Sequence, residues 1–310
     1  MFQTDKEIIV RINELRAERN AVILAHNYEL GEVQDIADFA GDSLELSQKA
    51  AETDADVIVF CGVKFMAETA NLLSPDKTVL LPVAEAGCDM ADMADAEGLR
   101  KLKAEHPGAI VACYVNSTAE VKAESDICVT SSNALAMINS LPEDREIIFV
   151  PDMNLGRYCM EQTGRKMILW EGFCPVHVRI TADQIKRRKA EYPNAQVLMH
   201  PESSKESIDL ADYALSTGGI LKHARESSCK EFIIATEIGI MHRLQQENPD
   251  KKFIAASEQA VCPAMKLIRL QDVLTSLETM ETKVVVPEEI AERAKRPIVR
   301  MLEETAKLSK

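Results

Sequence analysis

Three stretches of this chain share one register, and nothing else in the sequence restricts the fold as tightly. Ala21-Val22-Ile23-Leu24-Ala25, Ala109-Ile110-Val111-Ala112-Cys113 and Ala195-Gln196-Val197-Leu198-Met199 read as short strands, each preceded by a helical run. The first helix opens on Thr4-Asp5-Lys6-Glu7, a capping-box spacing, and runs to about Arg19. The other two, Leu99 to Glu105 and Ile185 to Glu191, are broken by Pro107-Gly108 and Pro193-Asn194. With Ala21, Ala109 and Ala195 in line, His26, Tyr114 and His200 coincide five residues on, and Tyr28, Asn116 and Glu202 seven on. Seventeen on, all three residues are aspartate (Asp38, Asp126, Asp212); twenty-two on, all three carry a hydroxyl (Ser43, Ser131, Thr217). Further strands begin at Val57, Ile147 and Phe232 and at Thr78, Met167 and Phe253, and the cysteines Cys88, Cys174 and Cys262 fall at offsets 67, 65 and 67. So even a period is the mark of an internal repeat.

Each unit reads strand, helix, short strand, helix, strand, helix, strand, the pattern of a parallel sheet covered by helices on both faces. The expected fold class is therefore α/β, with three pseudo-three-fold-related αβα domains at residues 1–90, 91–176 and 177–266. Right-handed crossovers put every strand C-terminus on one edge, where open α/β sheets bind ligands. The polar residues in register all follow strands, so three such edges facing a common axis would bring them together. The tail, residues 267–310, belongs to no repeat. It reads as helix around Leu267 to Met280 and again from Pro287, with Pro297 expected to kink or split the second part. It is expected to pack back on the first domain.

At 310 residues and 46% hydrophobic, the chain is long enough for two or three modest cores. A net charge of -14 without a block of Lys and Arg argues against a nucleic-acid surface, though not against a local site for a small anion. No apolar run approaches a membrane span, and Met1 to Glu7 lacks the basic-then-apolar pattern of a signal peptide. The expected location is cytoplasmic. There, eight cysteines are buried thiols, metal ligands or catalytic groups rather than a disulfide framework. With no Cys-x-x-Cys anywhere, a metal site would have to be assembled from distant segments.

Cys88, Cys174 and Cys262 arrive one per repeat. Three thiolates converging on an axis suit a metal with one position left open, either a 4Fe-4S cluster with one uncoordinated iron or a zinc ion. Cys61, Cys113, Cys128, Cys159 and Cys229 have no three-fold equivalents and read as structural. Ser43, Ser131 and Thr217 each precede a helical run and read as N-caps. Three helix N-termini aimed at one cavity would also present free N–H groups to a carboxylate or phosphate. His26, Tyr114 and His200 read as substrate donors or acid/base groups beside that site, and Glu202, the only carboxylate in the next ring, as the general base. Asp38, Asp126 and Asp212 read as loop braces. His177, in a Cys-x-x-His spacing, reads as a donor to a ligand or a sulfur rather than as a further metal ligand. Gly62, Gly156 and Gly239 follow the third strands, where turn geometry alone would explain them.

At these residues the chain resembles the quinolinate synthase family. The resemblance runs from about Ala21 to Lys266. It is carried by His26-Asn27-Tyr28, Gly41-Asp42-Ser43, Tyr114-Val115-Asn116-Ser117, Pro151-Asp152-Met153-Asn154-Leu155-Gly156, Gly172-Phe173-Cys174-Pro175-Val176-His177, His200-Pro201-Glu202, Ser216-Thr217-Gly218-Gly219, Thr236-Glu237-Ile238-Gly239 and Cys262-Pro263-Ala264-Met265-Lys266. It implies three α/β domains around a central 4Fe-4S cluster held by Cys88, Cys174 and Cys262. It also implies condensation of iminoaspartate with dihydroxyacetone phosphate to quinolinate, phosphate and water, with L-aspartate oxidase as the supplier of iminoaspartate. Carried over by position, Tyr28 and Glu202 would be the acid/base pair, and His26, Ser43, Tyr114, Asn116, Ser131, His177, His200, Thr217 and Gly218 would hold carboxylates and phosphate. No cysteine follows Cys262, so the Cys-x-x-Cys-x-x-Cys tail of some members, and a redox switch of that type, is not expected. Two other readings share part of this picture: a 4Fe-4S hydro-lyase acting on a hydroxy-acid, and a non-catalytic metal-bound dicarboxylate sensor. Glu202 and Tyr28 tell against the sensor, because a site that merely binds an anion gains nothing from a carboxylate.

Overall fold

The computed structural model describes residues 4–308; residues 1–3 and 309–310, and with them part of the leader argument, lie outside it. Three units follow one another, each built as helix and strand four times over. The first is α1 (Asp5–Glu18), β1 (Ala21–His26), α2 (Gly31–Ile36), β2 (Phe39–Gly41), α3 (Ser43–Glu52), β3 (Val57–Cys61), α4 (Lys64–Leu73) and β4 (Thr78–Leu80). The second is α5 (Ala96–Glu105), β5 (Ile110–Tyr114), α6 (Ala119–Ala123), β6 (Ile127–Val129), α7 (Ala134–Ser140), β7 (Ile147–Val150), α8 (Met153–Thr163) and β8 (Met167–Leu169). The third is α9 (Ala182–Glu191), β9 (Gln196–Met199), α10 (Lys205–Ile208), β10 (Tyr213–Ala214), α11 (Thr217–Glu226), β11 (Glu231–Ala235), α12 (Ile240–Glu247) and β12 (Lys252–Ala255). The tail forms α13 (Leu270–Thr279) and α14 (Glu288–Leu308).

The three sheets have the same order, β2-β1-β3-β4, β6-β5-β7-β8 and β10-β9-β11-β12, and every ladder is parallel. Helices cover both faces, so the central strands are apolar throughout; β3, β5 and β7 are buried at every residue. The strand order reverses between the first and third strands of each sheet, which opens a crevice at the C-terminal edge. The repeated aspartates hold that geometry. Asp38 accepts from Ile23 N at 2.8 Å, Asp126 from Val111 N at 2.8 Å and Asp212 from Val197 N at 2.7 Å, each bracing the second strand of its unit against the first. The α1 capping box forms as its spacing predicts, with Thr4 and Glu7 each bonding the other's backbone N–H.

Only part of the tail lies on the first unit. α13 packs on α1 and β3, and residues 282–284 run antiparallel beside β4, with Leu81 N bonding Thr282 O and Val284 N bonding Val79 O. That segment covers an otherwise open sheet edge. α14 instead crosses to the second unit and lies on α6, β6 and α7 as well as α4. Its Ala294, Ile298 and Met301 are buried in one cluster with Val111, Val121 and Ile148, completing the outer core of that unit. Pro297 neither splits nor ends the helix, because it is itself buried in this contact and packing offsets the lost hydrogen bond. The third unit buries a comparable outer cluster around Ile185, Val197 and Ile233, while one large cluster joins the inner faces.

Candidate active site

The C-terminal edges of all three sheets open onto one cavity of about 180 Å³. His26 and Tyr28, Tyr114 and Asn116, and His200 and Glu202 enter it from the ends of β1, β5 and β9. Ser43, Ser131, Thr217, His177 and the three in-register cysteines also line it, so of the residues expected to act as acid/base groups, substrate contacts or metal ligands only Gly218 stands outside. Gly218 is a spacer: a Cβ there would lie 2.8 Å from Asp42 Oδ2, so its absence lets α11 of the third unit approach α3 of the first.

Each of the three cysteines occupies the same local structure. Cys88 precedes a single 3-10 turn at Ala91–Met93, Cys174 one at His177–Arg179 and Cys262 one at Ala264–Lys266. Backbone N–H groups of these turns point at the sulfurs: Ala91 and Met90 at Cys88, His177 at Cys174, Met265 and Ala264 at Cys262. All three thiols are free, and burial pushes each above the usual thiol range, Cys88 to about 12. Cys88 lies close enough to both Cys262 and Cys174 for their charges to interact. Three convergent sulfurs, each supplied with N–H donors and facing a cavity, form a donor set suited to a metal held as thiolates. Cys174, His177 and Glu202 make a second such grouping, with ligand atoms within 4.8 Å of one another.

Around the sulfurs runs a hydrogen-bonded network. Glu202, 3% exposed, receives Tyr114 O–H on Oε1 at 2.5 Å, and its Oε2 lies 2.8 Å from His177 Nδ1. Burial pushes its carboxyl up, but His200, His177 and these hydrogen bonds outweigh it and hold Glu202 below the usual carboxylate range. Burial lowers His26 to about 3 and His200 to about 4, so both are neutral imidazoles near pH 7. At that pH the carboxylate therefore depends on the Tyr114 and His177 donors. Burial, and then Glu202, raise Tyr28 and Tyr114 well above the usual phenol range, which keeps both as O–H donors. Tyr28 O–H lies 2.5 Å from Thr236 Oγ1 and accepts from Thr217 Oγ1 at 3.2 Å. His200 Nε2 meets Ser131 Oγ at 3.1 Å.

The hydroxyls expected as N-caps are not caps. Asp42 caps α3, its Oδ1 accepting from Leu44 N and Glu45 N at 3.0 Å, and Ser216 caps α11 through Gly219 N. Asn133 stands at the head of α7, two residues after Ser131. With capping done by a neighbour, Ser43, Ser131 and Thr217 are free to face the cavity beside the helix N-termini. The turn explanation for the glycines also fails, because Gly62, Gly156 and Gly239 all lack positive φ. Gly239 is instead a close approach: a Cβ would stand 2.6 Å from Tyr28 O and 2.8 Å from both Glu237 Oε2 and Lys266 Nζ.

Sequence reasoning missed three residues that hold this site together. Glu237, fully buried, accepts Cys262 N at 3.0 Å and pairs with Lys266 Nζ at 3.0 Å, and Lys266 also bonds Tyr28 O. This pair ties a cysteine loop of the third unit to the Tyr28 segment of the first. Thr236, 1% exposed, links Tyr28 to His177, whose Nε2 is 2.8 Å away. For Thr236 and Glu237 the position directly after the third strand of a repeat was the available signal, since such ends face the crevice. Arg179, at the cavity mouth, was also missed; it is the one Lys or Arg in the lining among the described residues.

The family model described as quinolinate synthetase A protein matches residues 10–303. Among curated relatives, quinolinate synthase of Dehalococcoides mccartyi is 56% identical over 292 residues, covering 94% of this chain and 96% of the relative. That of Geobacter metallireducens is 57% identical over 291 residues, covering 94% and 95%. The Methanoregula boonei quinolinate synthase is 56% identical over 297 residues, covering 96% and 97%.

Proposed function

The chain belongs to the quinolinate synthetase A protein family and is a quinolinate synthase, an enzyme of NAD biosynthesis; on that premise we propose how its residues divide the work. Cys88, Cys174 and Cys262, one from each of the units 1–90, 91–176 and 177–266, hold a 4Fe-4S cluster. The observation that carries this reading is the three-fold equivalence of the cysteines: each opens a 3-10 turn whose N–H groups face its sulfur, and all three face one cavity. When bound, such a cluster supplies an iron without a protein ligand, a Lewis acid for oxygen and nitrogen groups.

The substrates are iminoaspartate, delivered by an L-aspartate oxidase, and dihydroxyacetone phosphate, and both are anions. Ser43 and Thr217 open α3 and α11, and Ser131 shares a hydrogen bond with His200, so these hydroxyls and the adjacent free N–H groups bind carboxylate and phosphate. Gly218 serves this site by letting α11 close on Asp42. His26, His200, Asn116 and Arg179 add donors around the same cavity. Losing phosphate and water while closing a pyridine ring demands repeated proton transfers. Glu202, ionised and fed by Tyr114 and His177, is the base, and Tyr28 is the O–H that gives and regains a proton at the substrate. Among the described residues, no helix is long and apolar enough to cross a membrane.

The test is anaerobic purification followed by an assay for quinolinate from the two substrates. A brown protein with about four irons per chain and matching sulfide, active in that assay, is expected. A colourless protein holding zinc, for which Cys174, His177 and Glu202 offer a site, would overturn the cluster assignment.

A further inference from the structure

A cluster needs its three sulfurs at fixed distances, yet the loops that carry them hold little regular structure. Between β4 and α5 the arm bearing Cys88 has only the 3-10 turn Ala91–Met93. On the side of the first unit it is held by Lys64 N–H, which donates to Ala86 O at 2.7 Å. Asp92 N donates to Cys88 O at 3.1 Å and Met93 N to Met90 O at 3.2 Å, so Cys88 and Met93 form one rigid piece. On the side of the second unit that piece is fastened to the arm of Cys174. Trp170 Nε1–H donates to Met93 O at 2.8 Å, and Phe173 N–H to Met93 Sδ at 3.4 Å. The second arm is itself firmly seated: Trp170 N donates to Phe149 O at 2.9 Å and Met153 N to Gly172 O at 2.8 Å. A Cβ on Gly172 would lie 2.5 Å from Pro151 O, so this seat requires glycine. The indole rests on α5, where a Cβ on Gly98 would stand 2.7 Å from Trp170 Cη2. This arm is also the short one, its cysteine at offset 65 where the other two fall at 67, which leaves it less slack. Filling the outer core of the second unit accounts for the ring. It does not account for two donors of one cysteine arm converging on a single residue of the other.

We propose that Trp170 is a positioning residue for the cluster, a staple that holds the Cys88 and Cys174 arms together so that two of the three sulfurs are in place before iron binds. The inference rests on the assignment of Cys88, Cys174 and Cys262 as the cluster ligands. Trp170 touches neither substrate nor sulfur and acts through Met93 and the Cys88 turn. Folding then orders the two arms, and iron binding does not have to. Without the indole N–H, Met93 O loses its partner and the Cys88 arm keeps its anchor on one side only, so ordering it falls to the iron and retention of the cluster weakens.

The experiment loads wild type, Trp170→Phe and Asp126→Ala with iron and sulfide without oxygen, dilutes each into excess iron chelator, and follows the decay of the brown absorbance. Groups that orient metal ligands are worth about 10- to 100-fold in metal retention, so Trp170→Phe is expected to release its iron at least about tenfold faster than wild type. Asp126→Ala weakens the second unit away from both arms and is expected to stay within about twofold of wild type. Release by Trp170→Phe less than about threefold faster than wild type would overturn the staple. Equal acceleration in Asp126→Ala would overturn it too, by reducing the effect to general loss of stability. A wild type that takes up no iron and sulfide sinks the cluster assignment, whereas a stable wild-type cluster with unchanged release from Trp170→Phe sinks the staple alone. Should Trp170→Phe fail to fold, judged by circular dichroism, the wild type decides. Trp170 is the one tryptophan of the chain, so the protein gives a single indole N–H signal by NMR. In the iron-free protein that proton is expected to exchange with deuterium at least about tenfold more slowly than in free tryptophan. Exchange as fast as in the free amino acid would show that the two arms are not joined before iron binds, and would overturn the proposal.

Discussion

Replacing Glu29 by Gln should make the protein more stable, and by a margin that grows with pH. Glu29 follows Tyr28, is 0% exposed, and has no hydrogen-bond partner on either carboxyl oxygen. Burial raises it from the ordinary 4.5 to about 9; Lys266 pulls it down and Glu237 pushes it up, but neither reverses the effect of burial. Below the ordinary value the carboxyl is protonated in both folded and unfolded chains. As pH rises above it, the unfolded chain releases the proton and the folded chain keeps it, so folded protein binds the extra proton and stability declines. The decline runs at about 1.4 kcal/mol per pH unit and is complete near the folded value. Neutral pH stands roughly 2.5 units above the ordinary value, so the wild type has lost about 3 kcal/mol there. A glutamine has the same shape and no charge at any pH, and escapes this loss. Urea unfolding of the iron-free wild type and Glu29→Gln, paired at each pH between roughly 5 and 8, should therefore show a difference that climbs at about 1.4 kcal/mol per unit. Any constant offset from exchanging O–H for NH2 cancels in the slope. A difference independent of pH, or one that increasingly favours the wild type, would mean that Glu29 is ionised and paired, contrary to this reasoning.

Cys174→Ser should lose its iron and all activity while its circular dichroism stays that of an α/β protein, because Cys174 is absent from the outer core of the second unit and only packs, partly buried, against that of the third, where serine nearly conserves its volume; iron at the wild-type level would remove Cys174 from the ligand set. Glu202→Gln should keep iron and substrate binding with turnover reduced about 100- to 10,000-fold, and turnover near normal would exclude Glu202 as the base. Gly239→Ala drives a Cβ against Tyr28 O and the Glu237–Lys266 pair, so a loss of about 1–3 kcal/mol and a fall in turnover are expected; unchanged stability and kinetics would show that the close approach does not position Tyr28. Asp126→Ala leaves Val111 N–H without its carboxylate and should cost about 1–3 kcal/mol, read as a lower urea midpoint at normal iron content.

Much of this architecture is legible along the chain because the repeat records it three times. The aspartates at Asp38, Asp126 and Asp212 were visible as braces before any contact was known, and each accepts the same backbone N–H in its own unit. The cavity residues were legible for the same reason: a position that follows a strand of a parallel sheet lies on the binding edge whatever its type. Local reading failed where two nearby residues compete for one role. Asp42 and Ser43 are both good capping residues, and the cap went to the aspartate, leaving the serine for the cavity. The same competition between Ser216 and Thr217 freed the hydroxyl that now meets Tyr28.

The sequence by itself therefore determined the strands, their burial, the parallel sheets and the one-per-unit cysteines, because periodicity along a segment records which face is buried and which backbone groups bond nearby. Only the tertiary structure decided where α14 lies, since an amphipathic helix carries no mark of which unit it will cover. It also decided that Thr236 would stand between Tyr28 and His177. Tyr28 and Thr236 are 208 residues apart. Their contact exists because the first and third units dock with Gly239 and Gly218 allowing close approach, and docking of that kind leaves no local trace in either segment.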